Sequence, residues 1–489
     1  MLAVGGVQVL ILLLGLLRAK FLSVTLGPAG YGLVGTIDQL VLALISLGTL
    51  GLPFAGLKFM ARGHSEGQHN FERTYAGFLW ALAVLGILTA AIGAGLGLFA
   101  PEIFGKELAG YGWLIAVAML GIPASMVNML VANALAASQR GRESALFTLA
   151  IQGLLLAATI AGVYAAGTKG IYVATVVVGS VTTVAAIVAL RRSLGSPLAA
   201  GPAWFKAEVK RDRTVMTYSA WVYIATAIYT VSLSGVRTSV FSQLGAANAG
   251  LLQASLGLAL TVGAVINPIS NLILAPFLNR SIPVDQKVTA ANDFAMKVLT
   301  LLLVGGLPLV MFPRFAMSLL FAHEFLPAAA ILFAFIIWQC IAQLVNVYTQ
   351  LLVGIDDVAV ACAILAVGYG AVFLMTPSMT SLFGLPGVAV ALIAGVIVVG
   401  IANGIRLQRK YHASIRRTVA VRLIFTVAAI LLAATLTVGS PEFSTRGFTL
   451  RLAIALALLA LQWFLLDSSE REWTRSRLRL LRLSRNRPN

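Results

Sequence analysis

Charge is scarce in this chain: 11% of its 489 residues are Asp, Glu, Lys or Arg, while 59% are hydrophobic. A soluble fold of this length covers itself with charged side chains, so the shortage excludes one. Cysteine is nearly absent. Cys340 and Cys362 both lie in apolar stretches, which excludes a disulfide framework and reads as two small buried residues. His64 and His69 share a loop with Glu66, and His323 adjoins Glu324, but neither group has the spacing of a metal site. No phosphate-cradling P-loop and no nucleophile motif occurs. The expectation is a protein with no cofactor, no metal and no catalytic centre.

What is present is a series of apolar runs of about twenty residues, the length that crosses roughly 30 Å of hydrocarbon as helix. Hydropathy predicts fourteen spans, near 3–25, 32–56, 75–99, 111–138, 144–166, 171–190, 214–243, 249–278, 292–312, 328–353, 359–376, 387–405, 419–438 and 448–466. The fold class is therefore an all-α polytopic membrane protein. Met1 to Leu17 lacks the basic leader and small-residue cleavage site of a signal peptide, and reads as the start of the first span.

Acidic residues are the scarcer charge, 17 against 35 Lys and Arg, for a net +18. The surplus is sorted by side. Twenty-five Lys and Arg fall in the loops of one side and the C-terminal tail, and five in the loops of the other. The positive-inside rule puts the rich side, with both termini, in the cytoplasm of a bacterial inner membrane. Charge confined to short loops marks topology and removes the need for a nucleic-acid partner. The tail carries Arg471, Arg475, Arg477, Arg479, Arg482, Arg485 and Arg487, which also suits anionic membrane lipids.

A repeat organises the chain. Leu26-Gly27, four residues, then Gly32-Leu33 recurs as Leu244-Gly245, four residues, then Gly250-Leu251, an offset of 218. Gly167, Gly170, Ile171, Val173 and Ala174 recur as Gly384, Gly387, Val388, Val390 and Ala391, an offset of 217. Six spans separate the copies, so the two halves have the same orientation, as in transporters built of two rocking bundles. The predicted division is an N-lobe over 1–192, a basic linker over 193–213, a C-lobe over 214–410, two extra spans over 411–466 and the tail over 467–489.

Five cations remain inside spans. Lys297 and Arg422 lie near the basic end, where they can snorkel to the interface. Arg18, Lys20 and Arg237 lie deeper, where a charge costs at least about 2.5 kcal/mol and signals function. They precede the repeated Leu-Gly by similar distances, so in two facing lobes they could converge on one cavity and bind a diphosphate. Asp38 is the acid well inside a span. It mirrors Lys20 across the turn at Ala29, which predicts a Lys20–Asp38 pair, either inert or coupled to proton movement. Gln339, Gln343, Asn346 and Gln350 are spaced four, three and four, on one helical face; Asn128 and Asn133 stand in the fourth span. Such amides either line a wet cavity and meet sugar hydroxyls or hydrogen-bond between helices.

The stretch from Arg18 to Arg62, RAKFLSVTLGPAGYGLVGTIDQLVLALISLGTLGLPFAGLKFMAR, resembles the start of O-antigen and enterobacterial-common-antigen translocases. These are Wzx-type polysaccharide flippases of the multidrug/oligosaccharidyl-lipid/polysaccharide exporter superfamily. The most specific piece is Gly27-Pro28-Ala29-Gly30-Tyr31-Gly32, with a basic residue upstream and Lys58 downstream. The short turn Gln139-Arg140-Gly141-Arg142 and the two six-helix lobes extend the likeness. The resemblance implies transfer of an undecaprenyl-diphosphate-linked oligosaccharide to the outer leaflet, driven by an ion gradient or membrane potential, with other polysaccharide-assembly proteins as further partners. Many such flippases have twelve spans. The two extra spans resemble those of lipid II flippases, which keeps that substrate open. A drug–cation antiporter would line its cavity with acids, which are few here. A membrane polysaccharide polymerase or ligase would need a large outer domain, and the outer loops are all roughly 15 residues or shorter.

Overall fold

The computed structural model describes residues 2–194, 213–264, 266–278, 280, 282–437, 442 and 444–464. Among them no strand occurs. Ten helices are long and apolar enough to cross a membrane, eleven if one bent pair counts as a single span, so this is a multi-pass α-helical membrane protein. The arginine-rich tail and almost all of the basic linker expected over 193–213 lie outside the described residues.

The helices are α1 (Leu2–Gly48), α2 (Leu52–Glu66), α3 (Gln68–Phe99), α4 (Gly112–Met119), α5 (Ile122–Ala137), α6 (Gly141–Ala189), α7 (Arg213–Ala264), α8 (Val284–Met311), α9 (Ala329–Gly354), α10 (Val358–Phe383), α11 (Leu385–Tyr411), α12 (Arg417–Thr437) and α13 (Thr445–Phe464). Helices α4 and α5 form the bent pair, turning by 40° where Pro123 cannot continue the hydrogen-bond ladder.

Three helices are hairpins. α1, α6 and α7 run for 47, 49 and 52 residues, about 70 Å or more if straight, over twice the hydrocarbon thickness. Each contains a glycine at positive φ: Gly27 at 63°, Gly167 at 59° and Gly245 at 85°. Arg18 and Asp38, 20 residues apart and so about 30 Å along a continuous helix, meet at 3.0 Å. The chain therefore reverses at Gly27, in a conformation that any residue with a Cβ resists. Counting each hairpin as two crossings brings the eleven candidates to fourteen among the described residues.

The repeat has a backbone counterpart. Gly27 and Gly245 share an extended, positive-φ geometry, with ψ of −175° and 168°. Gly167 and Gly384 match more closely, at φ 59°, ψ −138° and φ 63°, ψ −141°. Gln139 and Asp356, also 217 apart, have φ of 61° and 63°. The hairpin tips of α1 and α7 pack on each other reciprocally. A Cβ on Gly32 would strike the carbonyl oxygen of Ala246, and one on Gly250 would strike that of Pro28. Both contacts exchange under the same offset of 218, so the tips meet across a local two-fold axis.

The extra helices α12 and α13 pack on α8. Arg422 does not snorkel. It is 2% exposed and donates from Nη1 to the carbonyl of Met296 at 3.3 Å, because α12 turns that face inward onto α8. Arg451, counted with the outer loop on hydropathy, lies in α13 and is buried. It pairs with Glu442 at 3.7 Å, and Glu442 also accepts the backbone N–H of Phe315 at 2.9 Å. Lys297 is exposed.

On the basic side, Asp357 clamps α10 to α11. It accepts from Arg406 Nε at 2.7 Å and Lys410 Nζ at 3.1 Å, and the hydrogen bond from Arg406 holds its carboxyl below the usual carboxylate range. A depressed folded pKa stabilises above the unfolded value near 4 and is lost as pH falls through the folded one. Wild-type protein is thus expected to lose part of its thermal stability only below about pH 4. Asp357→Asn should melt lower at neutral pH and lack that acid step in a detergent melting series.

Candidate functional site

The hairpin in α1 brings a cation to an acid inside the first half of the chain. Arg18 Nη1 donates to Asp38 Oδ2 at 3.0 Å, and Arg18 Nε points at Thr159 Oγ1 at 3.4 Å. Tyr172 donates from its hydroxyl to Asp38 Oδ1 at 3.0 Å. Both members of the ion pair remain about one-third exposed, at 34% and 31% of the side chain, so they face space and not packed core. That space is a cavity of about 390 Å³ walled by α1, α4, α5 and α6, with Asn128 on its rim accepting from Thr183 at 3.1 Å.

The expected Lys20–Asp38 pair is not formed; Asp38 is taken by Arg18. Residues 18 and 20 stand about 200° apart around a helix, so only one can face the returning strand of the hairpin. Lys20 points the other way. It donates to the carbonyls of Phe321 at 2.7 Å and Ser318 at 3.1 Å, at the connection between α8 and α9. Beside it, Tyr31 packs edge-on against Phe321 and Phe325, with centroids at 6.0 Å and 5.5 Å. Lys20 thus ties the first half of the chain to the second on the side away from the basic loops. Lys20→Ala is expected to make that side more accessible: a cysteine placed at Ser318 should react several-fold faster with a membrane-impermeant maleimide.

Arg237 and Arg18 do not share one cavity. Arg237 donates from Nη1 to the Gly35 carbonyl at 2.9 Å, and its Nε is buried with no hydrogen-bond partner. It lines neither cavity. The two arginines still belong to one electrostatic cluster, since Tyr31 feels both of them and Asp38 acts on both. They flank the second limb of the α1 hairpin, three residues apart in their contacts at Gly35 and Asp38.

The second half of the chain holds a larger cavity of about 770 Å³. Gln339, Gln343, Asn346 and Gln350 of α9 all line it, with Tyr218, Tyr229, Trp338 and Tyr369. Lys58 enters its wall from α2, its Nζ 3.3 Å from the centre of the Tyr218 ring. Asn133 does not belong to either cavity. It donates to the Pro53 carbonyl at 3.3 Å, tying α5 to the first turn of α2. Sequence reasoning missed Tyr172, Thr159 and the tyrosine pair Tyr229–Tyr369, whose rings meet edge-on at 4.6 Å. Nothing in a single sequence separates such aromatics from ordinary core.

No family model matches the chain, and no curated protein matches its sequence. Solved structures do. The lipid II flippase MurJ, in an inward closed conformation, aligns over 94% of this chain and 96% of its own, with a TM-score of 0.69 at 11% identity. An inward-facing multidrug resistance MATE family transporter of the MOP superfamily aligns over 88% and 96%, with a TM-score of 0.58 at 13% identity. The MATE multidrug transporter DinF-BH in complex with R6G gives 0.57 at 14% identity, over 83% and 93%. The chain therefore has the fold shared by the lipid II flippase MurJ and the MATE transporters.

Proposed function

We propose that the protein is a flippase of the MOP superfamily that carries an undecaprenyl-diphosphate-linked oligosaccharide from the cytoplasmic to the outer leaflet of a bacterial inner membrane. The observation that carries this reading is the charge inside the bundle: Arg18 and Arg237 flank one acid, Asp38, with Arg18 and Asp38 facing the smaller cavity, while the larger cavity is lined by amides and aromatics. Two guanidiniums match a diphosphate, which a single carboxylate only partly neutralises. A cation antiporter would need the opposite balance.

The basic side is taken as cytoplasmic. Residues 1–192 and 214–410 act as two lobes that rock about the two-fold contact of the hairpin tips, with 411–466 appended. The Lys20 ties and the Tyr31–Phe321–Phe325 cluster close the outer end, while the larger cavity reaches Lys58 and Asp356 toward the basic side. Lys20 therefore serves closure in this state and becomes available to a ligand only when the lobes part. A diphosphate that draws Arg18 away leaves Asp38 without its counter-ion, and that exchange of partners is a step to which ion movement can be coupled. Asp38→Asn is expected to keep substrate binding and lose the response of transport to an imposed pH gradient in vesicles. An unchanged response removes Asp38 from coupling.

The substrate class is tested by ligand-induced stabilisation of the detergent-solubilised protein. Undecaprenyl diphosphate should raise the melting temperature more than undecaprenyl monophosphate does, and a rhodamine-type cation should leave it unchanged. Stabilisation by the cation alone would overturn the reading.

A further inference from the structure

The larger cavity is set apart by polar groups that the protein does not use. Away from the cavity, α9 uses its polar side chain at Tyr348, which donates to Asn292 at 2.9 Å. The cavity face differs. Among the described residues the side-chain amides of Gln339, Gln343 and Asn346 form no hydrogen bond with the protein, and the buried indole N–H of Trp338 has no partner. Gln350 uses only its Oε1, which accepts from Ser270 at 2.8 Å. Gly263 of α7 makes the room, since a Cβ there would overlap the amide nitrogen of Gln339. Amides that line a cavity without protein partners are left to hydrogen-bond with a ligand or with ordered water.

The stripe also has a shape and a charge. From Gln339 to Gln350 it runs about 16 Å along the helix. Its charged neighbours are Lys58 and Asp356, one of each sign. At the other end Tyr229 is within electrostatic reach of Arg237, and eight residues of helix, about 12 Å, separate the two along α7. Across the cavity stand the rings of Tyr218, Tyr229 and Tyr369.

We infer that this face is the sugar-reading subsite of the transporter, and that it selects an uncharged oligosaccharide of more than one ring, held with its diphosphate end toward Arg237. The inference rests on the flippase reading given above. A primary amide offers donors and an acceptor together, and a sugar hydroxyl does the same, so a row of amides suits a row of hydroxyls in either sense. The tyrosine faces suit the apolar faces of sugar rings. A peptide-bearing precursor brings carboxylates into a wall with no spare cation, and an unpaired charge there is costly.

The test compares three probes on the full-length protein in lipid nanodiscs: bare undecaprenyl diphosphate, the same lipid bearing a short N-acetylglucosamine oligomer, and lipid II with its peptide. Wild-type protein should bind the oligomer-bearing lipid at least tenfold more tightly than the bare lipid, and lipid II no more tightly than the bare lipid. Gln343→Leu,Asn346→Leu should lose about tenfold in affinity for the oligomer-bearing lipid, the equivalent of one or two hydrogen bonds, with bare-lipid affinity unchanged. Bare-lipid binding doubles as the folding control. Gly263→Ala, which crowds Gln339 without removing an amide, should weaken the same probe selectively. Equal binding of bare and oligomer-bearing lipid by wild type, preference for lipid II, or a double variant with wild-type selectivity would each overturn the inference while leaving the flippase reading intact. Failure of wild type to bind any of the three lipids would instead sink the flippase reading.

Discussion

Arg18→Ala combined with Arg237→Ala is expected to reduce transport by at least about a hundredfold while the protein remains inserted. Each guanidinium offers charge-assisted hydrogen bonds worth roughly 1.5–3 kcal/mol, so each removal costs about tenfold to a hundredfold. The single Arg18→Ala variant needs a companion, because it leaves Asp38 without the cation that holds it at 3.0 Å, and stranding one member of an ion pair destabilises. Arg18→Ala with Asp38→Asn removes both charges and should fold as well as wild type. Arg237 has no such complication, since it donates to the Gly35 carbonyl. Arg18→Lys and Arg237→Lys should recover part of the activity, because charge is kept and the two-pronged geometry is lost. Transport per correctly folded molecule, normalised by size-exclusion profile, is the quantity to compare.

The second large effect is on assembly. Gly250→Val should prevent the two hairpin tips from meeting, and Gly32→Val should do the same from the other side. In both cases the added atoms meet backbone, the Pro28 and Ala246 carbonyls, which cannot swing aside as a side chain can. Overpacking of a yielding core costs about 1–3 kcal/mol; rigid backbone contact exceeds that range. The expected outcome is aggregation or loss of the monodisperse peak in detergent for either variant, with Gly257→Val as a control at a glycine that has open space around it. Comparable stability of all three proteins would show that the tips are not the pivot of the assembly.

Much of this architecture was legible before the structure, and the reason is physical. Spans are dictated by the thickness of hydrocarbon, so apolar runs anticipate the long helices, including the two limbs within each of α1, α6 and α7. The repeated glycines were legible because backbone geometry leaves few alternatives to glycine at a reversal, and Gly27 and Gly245 occupy just such positions. Polar extensions escaped. α8 starts at Val284, well before the expected 292, because its first turns carry Asp285, Gln286 and Lys287 and read as loop; yet Lys287 is buried, donating to the Gly354 carbonyl at 2.7 Å. Arg422 and Arg451 were misplaced for a related reason. Hydropathy records how apolar a segment is and says nothing of which face packs inward.

The site was legible as a set of residues and not as a set of pairs. Equal depth in a hairpin made Lys20 and Asp38 a plausible couple, but depth is one coordinate and azimuth is the other. Arg18, two residues away, holds the favourable azimuth, and Lys20 is turned toward Ser318 and Phe321. The amide face of α9 was legible from its spacing, because helical period alone puts four amides in a row. Whether such a row meets a helix or a cavity depends on what packs opposite, as the contrast between Asn133 and Gln343 illustrates.

The most direct measurement is leaflet exchange. Vesicles containing the wild-type protein and a fluorescent undecaprenyl-diphosphate-linked oligosaccharide are exposed to an impermeant quencher after timed incubation. Transport predicts that the protected inner pool drains in wild-type vesicles and persists in protein-free vesicles and in those containing the Arg18→Ala,Arg237→Ala protein. Persistence of the inner pool with folded wild-type protein, or equal drainage by the double variant, would contradict it.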